Sequence, residues 1–155
     1  MNWSVFRSWQ APNQISTSCS VGNDFLISSG MDIILLDEEC NVRWKRTMPF
    51  RVHGANHDSG RIGILYGHGF HILQVSDGSP INEGRSTEGG FSDILPRPGG
   101  GWVLSCRKGN LHIFSSEGRG IKRLSAGGVR RLIGWFDREH LMRQDENGKL
   151  RCAKL

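Results

Sequence analysis

Two pairs of histidines have a spacing that could bring imidazoles together for metal binding or acid–base chemistry. They are His53 with His57, and His68 with His71. Residues four apart on a strand share a face, so the first pair could point together, whereas residues three apart point to opposite faces. Neither pair has a carboxylate or thiolate at a spacing that completes a metal site. We therefore interpret these histidines as solvated or hydrogen-bonded side chains, and the sequence predicts no metal ion.

The other candidate nucleophiles and ligands lack a recognisable context. No serine lies in a G-x-S-x-G turn, and no two cysteines form a C-x-x-C pair. The segment Asp145–Gly148 has the start of a calcium loop but not its remaining ligands, and a hairpin turn accounts for it. We therefore predict no enzyme and no cofactor, and we expect reduced, partly buried thiols. The cysteines are Cys19, Cys40, Cys106 and Cys152.

The composition indicates one folded domain. The chain has 155 residues, of which 37% are apolar and 23% charged, which excludes disorder and a membrane-embedded chain. A chain of this length buries roughly 70% of its unfolded surface, so it needs no disulfides to fold. The longest apolar run, Ile33–Leu36, is far too short to cross a bilayer, and residues 1–7 lack the features of a secretion signal. We expect a single domain over residues 1–155, located in the cytoplasm and without membrane contact.

Short strands and tight turns are predicted throughout, with no helix. There are 21 glycines and five prolines, and β-branched runs are interrupted every few residues. Strand–turn–strand hairpins recur, and the equivalent positions Phe25, Ile62, Trp102 and His140 are 37, 40 and 38 residues apart. A period of about 40 residues with four strands per unit is typical of a β-propeller blade, which buries both faces by stacking on its neighbours.

We therefore predict an all-β propeller of four blade-like, four-stranded units. The units cover residues 14–47, 52–87, 91–125 and 129–155. The fourth unit is one strand short, and residues 2–9 are predicted to complete it and to cover its sheet edge. The four units form either a four-bladed ring or half of an eight-bladed ring. A monomer and a homodimer are therefore both compatible with the sequence.

Residues 35–44, Leu-Leu-Asp-Glu-Glu-Cys-Asn-Val-Arg-Trp, resemble the blade signature of pyrroloquinoline-quinone-type and related WD-repeat-like propellers. In those blades an Asp ends the third strand, a glycine-containing turn follows, and a Trp docks on the next blade. Asp37 and Trp44 hold these positions here, whereas Cys40-Asn41 stands in place of the turn glycine. The resemblance implies a propeller shape and no particular chemistry.

Positive charge is concentrated in the last third of the chain. Residues 1–100 carry a net charge of −2 and residues 101–155 a net charge of +7. Of the 20 cationic residues, 15 are arginines, which bind carboxylates and phosphates bidentately. The imbalance favours an anionic partner.

Blade topology assigns these cations to one face of the propeller. Turns between the second and third strands, and the connections between blades, emerge on the first face, and turns between the third and fourth strands emerge on the second. The second face is predicted to be acidic through Asp37, Glu38, Glu39, Asp77 and Glu117. The first face is predicted to bind a partner through Arg46, Arg51, Arg107, Lys108, Arg130 and Arg131.

The sequence therefore predicts a non-catalytic binding or scaffolding module whose basic face binds an acidic protein partner. Binding to a nucleic-acid backbone is an alternative, because phosphates satisfy the same arginines. A role as one subunit of a larger enzyme or assembly is a further alternative.

Overall fold

The computed structural model describes residues 7–155, which form 15 β-strands and no helix. These residues accordingly contain no helix that could span a bilayer. The strands are, in chain order, β1 (Ile15–Val21), β2 (Asp24–Ser29), β3 (Asp32–Leu36), β4 (Val42–Thr47), β5 (Val52–Asp58), β6 (Arg61–Tyr66), β7 (Gly69–Gln74), β8 (Pro80–Arg85), β9 (Phe91–Pro96), β10 (Trp102–Cys106), β11 (Asn110–Phe114), β12 (Gly120–Ser125), β13 (Val129–Trp135), β14 (His140–Asp145) and β15 (Leu150–Lys154).

The strands form four antiparallel sheets, one for each predicted unit. Blade one is β1–β4, blade two β5–β8, blade three β9–β12 and blade four β13–β15, and each strand pairs with the next one in the chain. The prediction of an all-β fold built from four repeated sheets is confirmed. Of the strand predicted to complete blade four, residues 2–6 lie outside the described residues, and residues 7–9 are not part of a strand.

The turn between β3 and β4 closes tightly without a glycine. Cys40 has a φ of 65°, in the left-handed region that usually requires glycine. Asp37 stabilises this turn, because its Oδ1 accepts the backbone N–H groups of Glu39 and Asn41 at 2.9 and 2.8 Å. A short acidic side chain that bonds to the following backbone thereby offsets the strain at Cys40.

Apolar side chains fill three joints between neighbouring blades. Successive residues of a strand point to opposite faces, so on β10 Leu104 packs toward blade two whereas Val103 packs toward blade four. Burial on both faces explains why β6 and β10 are almost continuous apolar sequence. Each joint contains one tryptophan: Trp44 between blades one and two, Trp102 between blades two and three, and Trp135 between blades three and four.

The innermost strands of neighbouring blades contact each other in series. β1 contacts β5, β5 contacts β9, and β9 contacts β13. Within residues 7–155, no comparably extensive contact joins β13 back to β1. Large apolar side chains are exposed on both end blades, for example Phe25 at 51% on blade one and Ile133 at 49% on blade four. The three filled joints therefore hold the described blades together.

Candidate functional site

The turns between second and third strands lie beside the connections between blades. Together they form the first face of the propeller, which we call the loop face from here on. Backbone hydrogen bonds tie the two kinds of segment at each joint. These bonds fix the position of each turn relative to the connection beside it. The bonds run from Met48 N to Met31 O (2.8 Å), from Ser86 N to His68 O (2.9 Å), from Arg107 N to Gly90 O (3.0 Å) and from Val129 N to Gly109 O (3.3 Å).

Three of the predicted cations come together on the loop face. Arg107 and Lys108 occupy the β10–β11 turn, and Arg130 is the second residue of β13; all three are exposed. The β10–β11 turn packs directly on the backbone that leads into β13, because a Cβ placed on Gly109 would lie 2.6 Å from the Gly128 Cα. We call Arg107, Lys108 and Arg130 the cation cluster.

The other three predicted cations are placed differently. Arg51 is exposed on the loop face, in the connection between blades one and two. Arg46 lies within β4, and its Nε contacts the carbonyl oxygen of Asp77 at 3.4 Å, in the turn between β7 and β8. Arg131 lines a cavity between the innermost strands of the four blades, which is described below as the axial cavity. Arg46 and Arg131 therefore do not join the cation cluster.

Two acidic residues next to turns between second and third strands are neutralised by ion pairs. Asp32 contacts Lys45 Nζ at 2.7 Å and also accepts a hydrogen bond from the Thr47 hydroxyl. The hydrogen bond from Lys45 is the main cause of a lowered pKa of Asp32. Asp145 pairs with Arg151 at 2.7 Å. Neither carboxylate is free to offset the charge of the cation cluster.

Asp145 also holds the β14–β15 turn. Its Oδ1 accepts the backbone N–H groups of Asn147 and Lys149 at 3.0 and 2.9 Å, and its Oδ2 accepts Nε–H of Arg151. The hydrogen bond from Arg151, followed by those from the backbone, lowers the pKa of Asp145 from its ordinary value of 3.8. The turn is thus stabilised by a carboxylate that must stay ionised.

Acidification should remove this stabilisation. A carboxyl group with a lowered folded-state pKa stabilises the fold above its ordinary pKa, and this contribution is lost as the pH falls through the folded-state value. In urea unfolding between about pH 6 and about pH 3, we expect Asp145→Asn to start less stable than the wild type and to lose less stability on acidification. Glu38→Gln, which alters an exposed carboxylate, should follow the wild type. Equal acid sensitivity of Asp145→Asn and the wild type would contradict this role.

A cavity of about 250 Å³ lies where the four innermost strands converge. Its polar lining includes Thr17 from β1, His53 and Asn56 from β5, Asp93 from β9 and Arg131 from β13. We call it the axial cavity. Polar groups from all four described blades converge in it.

The polar groups of the axial cavity mainly connect one blade to the next. His53 Nε2 lies 3.2 Å from the Phe91 carbonyl oxygen, to which it donates, and Asn56 Nδ2 donates to the Ile94 carbonyl at 3.2 Å. Both bonds join β5 to β9. Asp93 Oδ2 in turn accepts the Leu132 N–H at 2.9 Å and joins β9 to β13. These contacts give the cavity a structural role.

Asp93 was not singled out in the sequence. Burial raises its pKa, while the Leu132 N–H and the nearby charges of Arg131 and His53 act in the opposite direction. The signal available in the sequence was one carboxylate inside the strand Phe91–Pro96, where the neighbouring side chains are mostly apolar. A half-buried acid in such a strand is stabilised by a donor from a neighbouring element, and here the next blade supplies that donor through the Leu132 N–H.

Solved structures share this fold. BamB from Moraxella catarrhalis superposes with a TM-score of 0.78 at 14% identity, over 94% of this chain and 48% of that chain. The computationally designed Ika4 protein superposes with a TM-score of 0.82 at 9% identity, over 100% of this chain and 99% of that chain. The designed Ika8 protein gives 0.75 at 9% identity, over 91% of this chain and 46% of that chain.

The fold is that of a four-bladed β-propeller. The chain spans about half the length of BamB and of Ika8, and nearly all of Ika4. No protein-family model matches the chain, and no curated protein matches it in sequence. At 9–14% identity the likeness shows the fold alone.

Proposed function

We propose that this chain is a non-catalytic interaction module that binds an acidic segment of a partner protein through the cation cluster. One observation supports this proposal above the others. Arg107, Lys108 and Arg130 are exposed on adjoining segments, and none of the three makes a salt bridge within residues 7–155. The Glu146 carboxylate lies beside Gly128 but forms no ion pair with these three cations. Cations held on tied backbone segments without an ion-pair partner among the described residues are suited to steering and binding a carboxylate-rich surface.

The non-catalytic part of the proposal is supported by the axial cavity. Its His53, Asn56 and Asp93 side chains are each engaged in a bond to the next blade. Groups that hold blades together are poorly placed to exchange protons with a substrate. We also propose a cytoplasmic location, where the four free thiols of this chain would stay reduced.

We also propose that blade one is a blade of the pyrroloquinoline-quinone type. Trp44 donates its Nε1–H to the Val75 carbonyl oxygen at 2.7 Å, in blade two. Its ring covers Gly78, where a Cβ would lie 2.9 Å from the indole. This contact supports the docking role that the blade signature implies for this tryptophan.

Reversing the cation cluster should weaken partner binding. The test variant is Arg107→Glu with Lys108→Glu and Arg130→Glu, and the ligand is a fluorescein-labelled peptide rich in Glu and Asp, followed by anisotropy. We expect affinity to fall by about tenfold or more, because three attractive charges become repulsive. Arg131 is left unchanged because a glutamate there would face Asp93 across the axial cavity.

The control variant carries the same change in charge away from the cluster. Arg119→Glu, Lys122→Glu and Arg138→Glu alter exposed residues of β12, of the turn before it and of the turn between β13 and β14. This variant should bind the peptide nearly as well as the wild type. Equal binding by the two triple variants would refute the proposed surface.

Duplex DNA in the same assay tests the choice of partner. Binding through phosphates would give a slope of log K against log salt of about −0.9 for each phosphate neutralised. If the wild type bound DNA with such a slope and more tightly than the peptide, the partner class would be nucleic acid rather than an acidic protein.

A further inference from the structure

Three potential metal ligands from separate elements meet at the joint between blades two and three. Glu88 lies in the connection from β8 to β9, Cys106 is the last residue of β10, and His112 lies within β11. Their ligand atoms all lie within 4.8 Å of one another. Glu88 Oε2 is 3.0 Å from Cys106 Sγ and 3.1 Å from His112 Nε2.

The three side chains are sheltered from solvent to different degrees. Cys106 is fully buried, and the side chains of Glu88 and His112 are 12% and 18% exposed. The carboxylate and the imidazole are therefore nearer to solvent than the sulfur.

The donor set matches the chemistry of zinc. Thiolate, imidazole and carboxylate are its usual ligands, and three protein ligands leave a fourth position for water. Bond lengths of about 2.0–2.3 Å in a tetrahedron separate neighbouring ligand atoms by roughly 3.3–3.6 Å. The carboxylate oxygen now lies 3.0 and 3.1 Å from its two partners, a few tenths of an ångström closer than in such a tetrahedron. The sulfur and the imidazole nitrogen, which lie within 4.8 Å of each other, would close around the ion.

Neighbouring groups already orient the ligands. Asn110 Nδ2 donates to Glu88 Oε2 at 3.0 Å, and the Arg123 guanidinium pairs with Oε1. The Phe91 ring packs edge-on against the His112 ring, with centroids 5.4 Å apart. Carboxylate and histidine ligands in metal sites are commonly fixed by such outer contacts. The side chain of Arg123 is 60% exposed, so it can move without disturbing the core.

We propose that Glu88, Cys106 and His112 form a zinc-binding site that fastens blade two to blade three. On binding, the Cys106 thiol releases its proton to solvent and a sulfur–zinc bond forms. His112 Nε2 gives up the hydrogen with which it now contacts Glu88, the neutral imidazole keeping its hydrogen on Nδ1, so that this nitrogen can bind the ion. The hydrogen bonds from Cys106 and His112 to Glu88 are thereby replaced by bonds to the ion. The site adjoins the cation cluster, because Arg107 follows Cys106 directly in the chain, but binding of the ion requires no partner at that cluster.

Cobalt titration tests this site directly, because Co²⁺ occupies zinc sites and reports its ligands by absorption. A Cys40→Ser, Cys152→Ser background removes one exposed and one half-buried thiol that lie outside the site. In this background we expect one Co²⁺ per chain, a sulfur-to-cobalt charge-transfer band and the visible bands of tetrahedral cobalt. Zn²⁺ should displace the cobalt and raise the melting temperature of the protein.

Variants assign the ligands. Cys106→Ser should abolish the charge-transfer band. Asn110→Ala, which removes only an outer contact to Glu88, should weaken Co²⁺ binding by about 10–100-fold. His112→Gln removes a ligand itself, so it should weaken Co²⁺ binding at least as much. His71→Gln is the matched control, because His71 pairs with Glu83 at 2.9 Å and, within residues 7–155, is not grouped with a cysteine. It should leave the titration unchanged.

The outcomes separate a metal site from a purely hydrogen-bonded group. No charge-transfer band in the background protein, or a band that survives Cys106→Ser, would overturn the proposal and leave Glu88 as the acceptor of a hydrogen-bond network. If Cys106→Ser fails to fold, His112→Gln decides the matter, since circular dichroism can show that it folds. A folded His112→Gln variant with unchanged Co²⁺ affinity would also overturn it.

Discussion

Replacing Trp102 with alanine is expected to lower the free energy of unfolding by about 3–5 kcal/mol. Trp102 is fully buried between blades two and three, in a cluster that includes Phe70 and Ile94. Its ring fills the space beside Gly63, where a Cβ would lie 3.0 Å from the indole. Truncation would leave a cavity that the rigid sheets on either side cannot close. Since domains of this size are stable by only about 5–15 kcal/mol, the loss should be evident in urea or thermal unfolding.

Phe136→Ala provides the control for this prediction. Phe136 is also aromatic but is 75% exposed, so its truncation should change the free energy of unfolding by less than about 0.5 kcal/mol. Similar losses in the two variants would show that the joint between blades two and three does not carry the stability assigned to it.

A second large effect is expected at Gly109, in the turn that carries Lys108. Gly109 has a φ of +82°, and a Cβ there would lie 2.6 Å from Gly128 Cα and 2.9 Å from Val129 N. Gly109→Ala should therefore lower the free energy of unfolding by about 2–4 kcal/mol, from left-handed strain and from backbone overlap together. Because the turn must move away from β13, binding of the acidic peptide should weaken as well.

Gly99→Ala separates the two causes. Gly99 has a similar φ of +86°, but a Cβ there has no neighbour within 4 Å. This variant should show the strain alone, about 1–2 kcal/mol, and should leave peptide binding unchanged. If Gly99→Ala and Gly109→Ala were equally stable and bound equally well, close packing of the β10–β11 turn on β13 would not support the cation cluster.

Much of the fold was predictable because its signals are local. The equivalent positions Phe25, Ile62, Trp102 and His140 all lie in the second strand of their blades. Turn residues and alternating side chains act over a few residues, so a regular repeat of hairpins is visible in the sequence. The strand order within each sheet then follows from the short connections.

The placement of the cations depended on details that these local signals do not contain. Register shifts occur on both sides of Arg131–Leu132, between Val129 and Arg131 and between Leu132 and Gly134. A bulge resets the alternation of a strand, and Arg131 lies at the axial cavity although its neighbour Arg130 belongs to the cation cluster. Arg46 lies within β4 and contacts the turn between β7 and β8, a contact between blades that has no local signal in the sequence.

The Glu88–Cys106–His112 group could not be predicted for a different reason. Ligands that lie close together in the chain, such as His53 and His57, are recognisable by a fixed spacing. Glu88 is separated from Cys106 by 18 positions and from His112 by 24, and it reaches them only because the connection between blades folds over blade three. Convergence of this kind is a property of tertiary structure and has no fixed spacing in sequence.

The presence of one tryptophan in each joint gives the protein three built-in optical reporters. Trp44 donates to the Val75 carbonyl, Trp102 to the Ser116 carbonyl, and Trp135 to the Pro96 carbonyl. In a background without Trp3 and Trp9, variants that keep one of the three and carry phenylalanine at the others would fluoresce from a single joint. The shift of emission to longer wavelength as each indole meets water would then show whether the blades separate in one cooperative step or come apart one joint at a time.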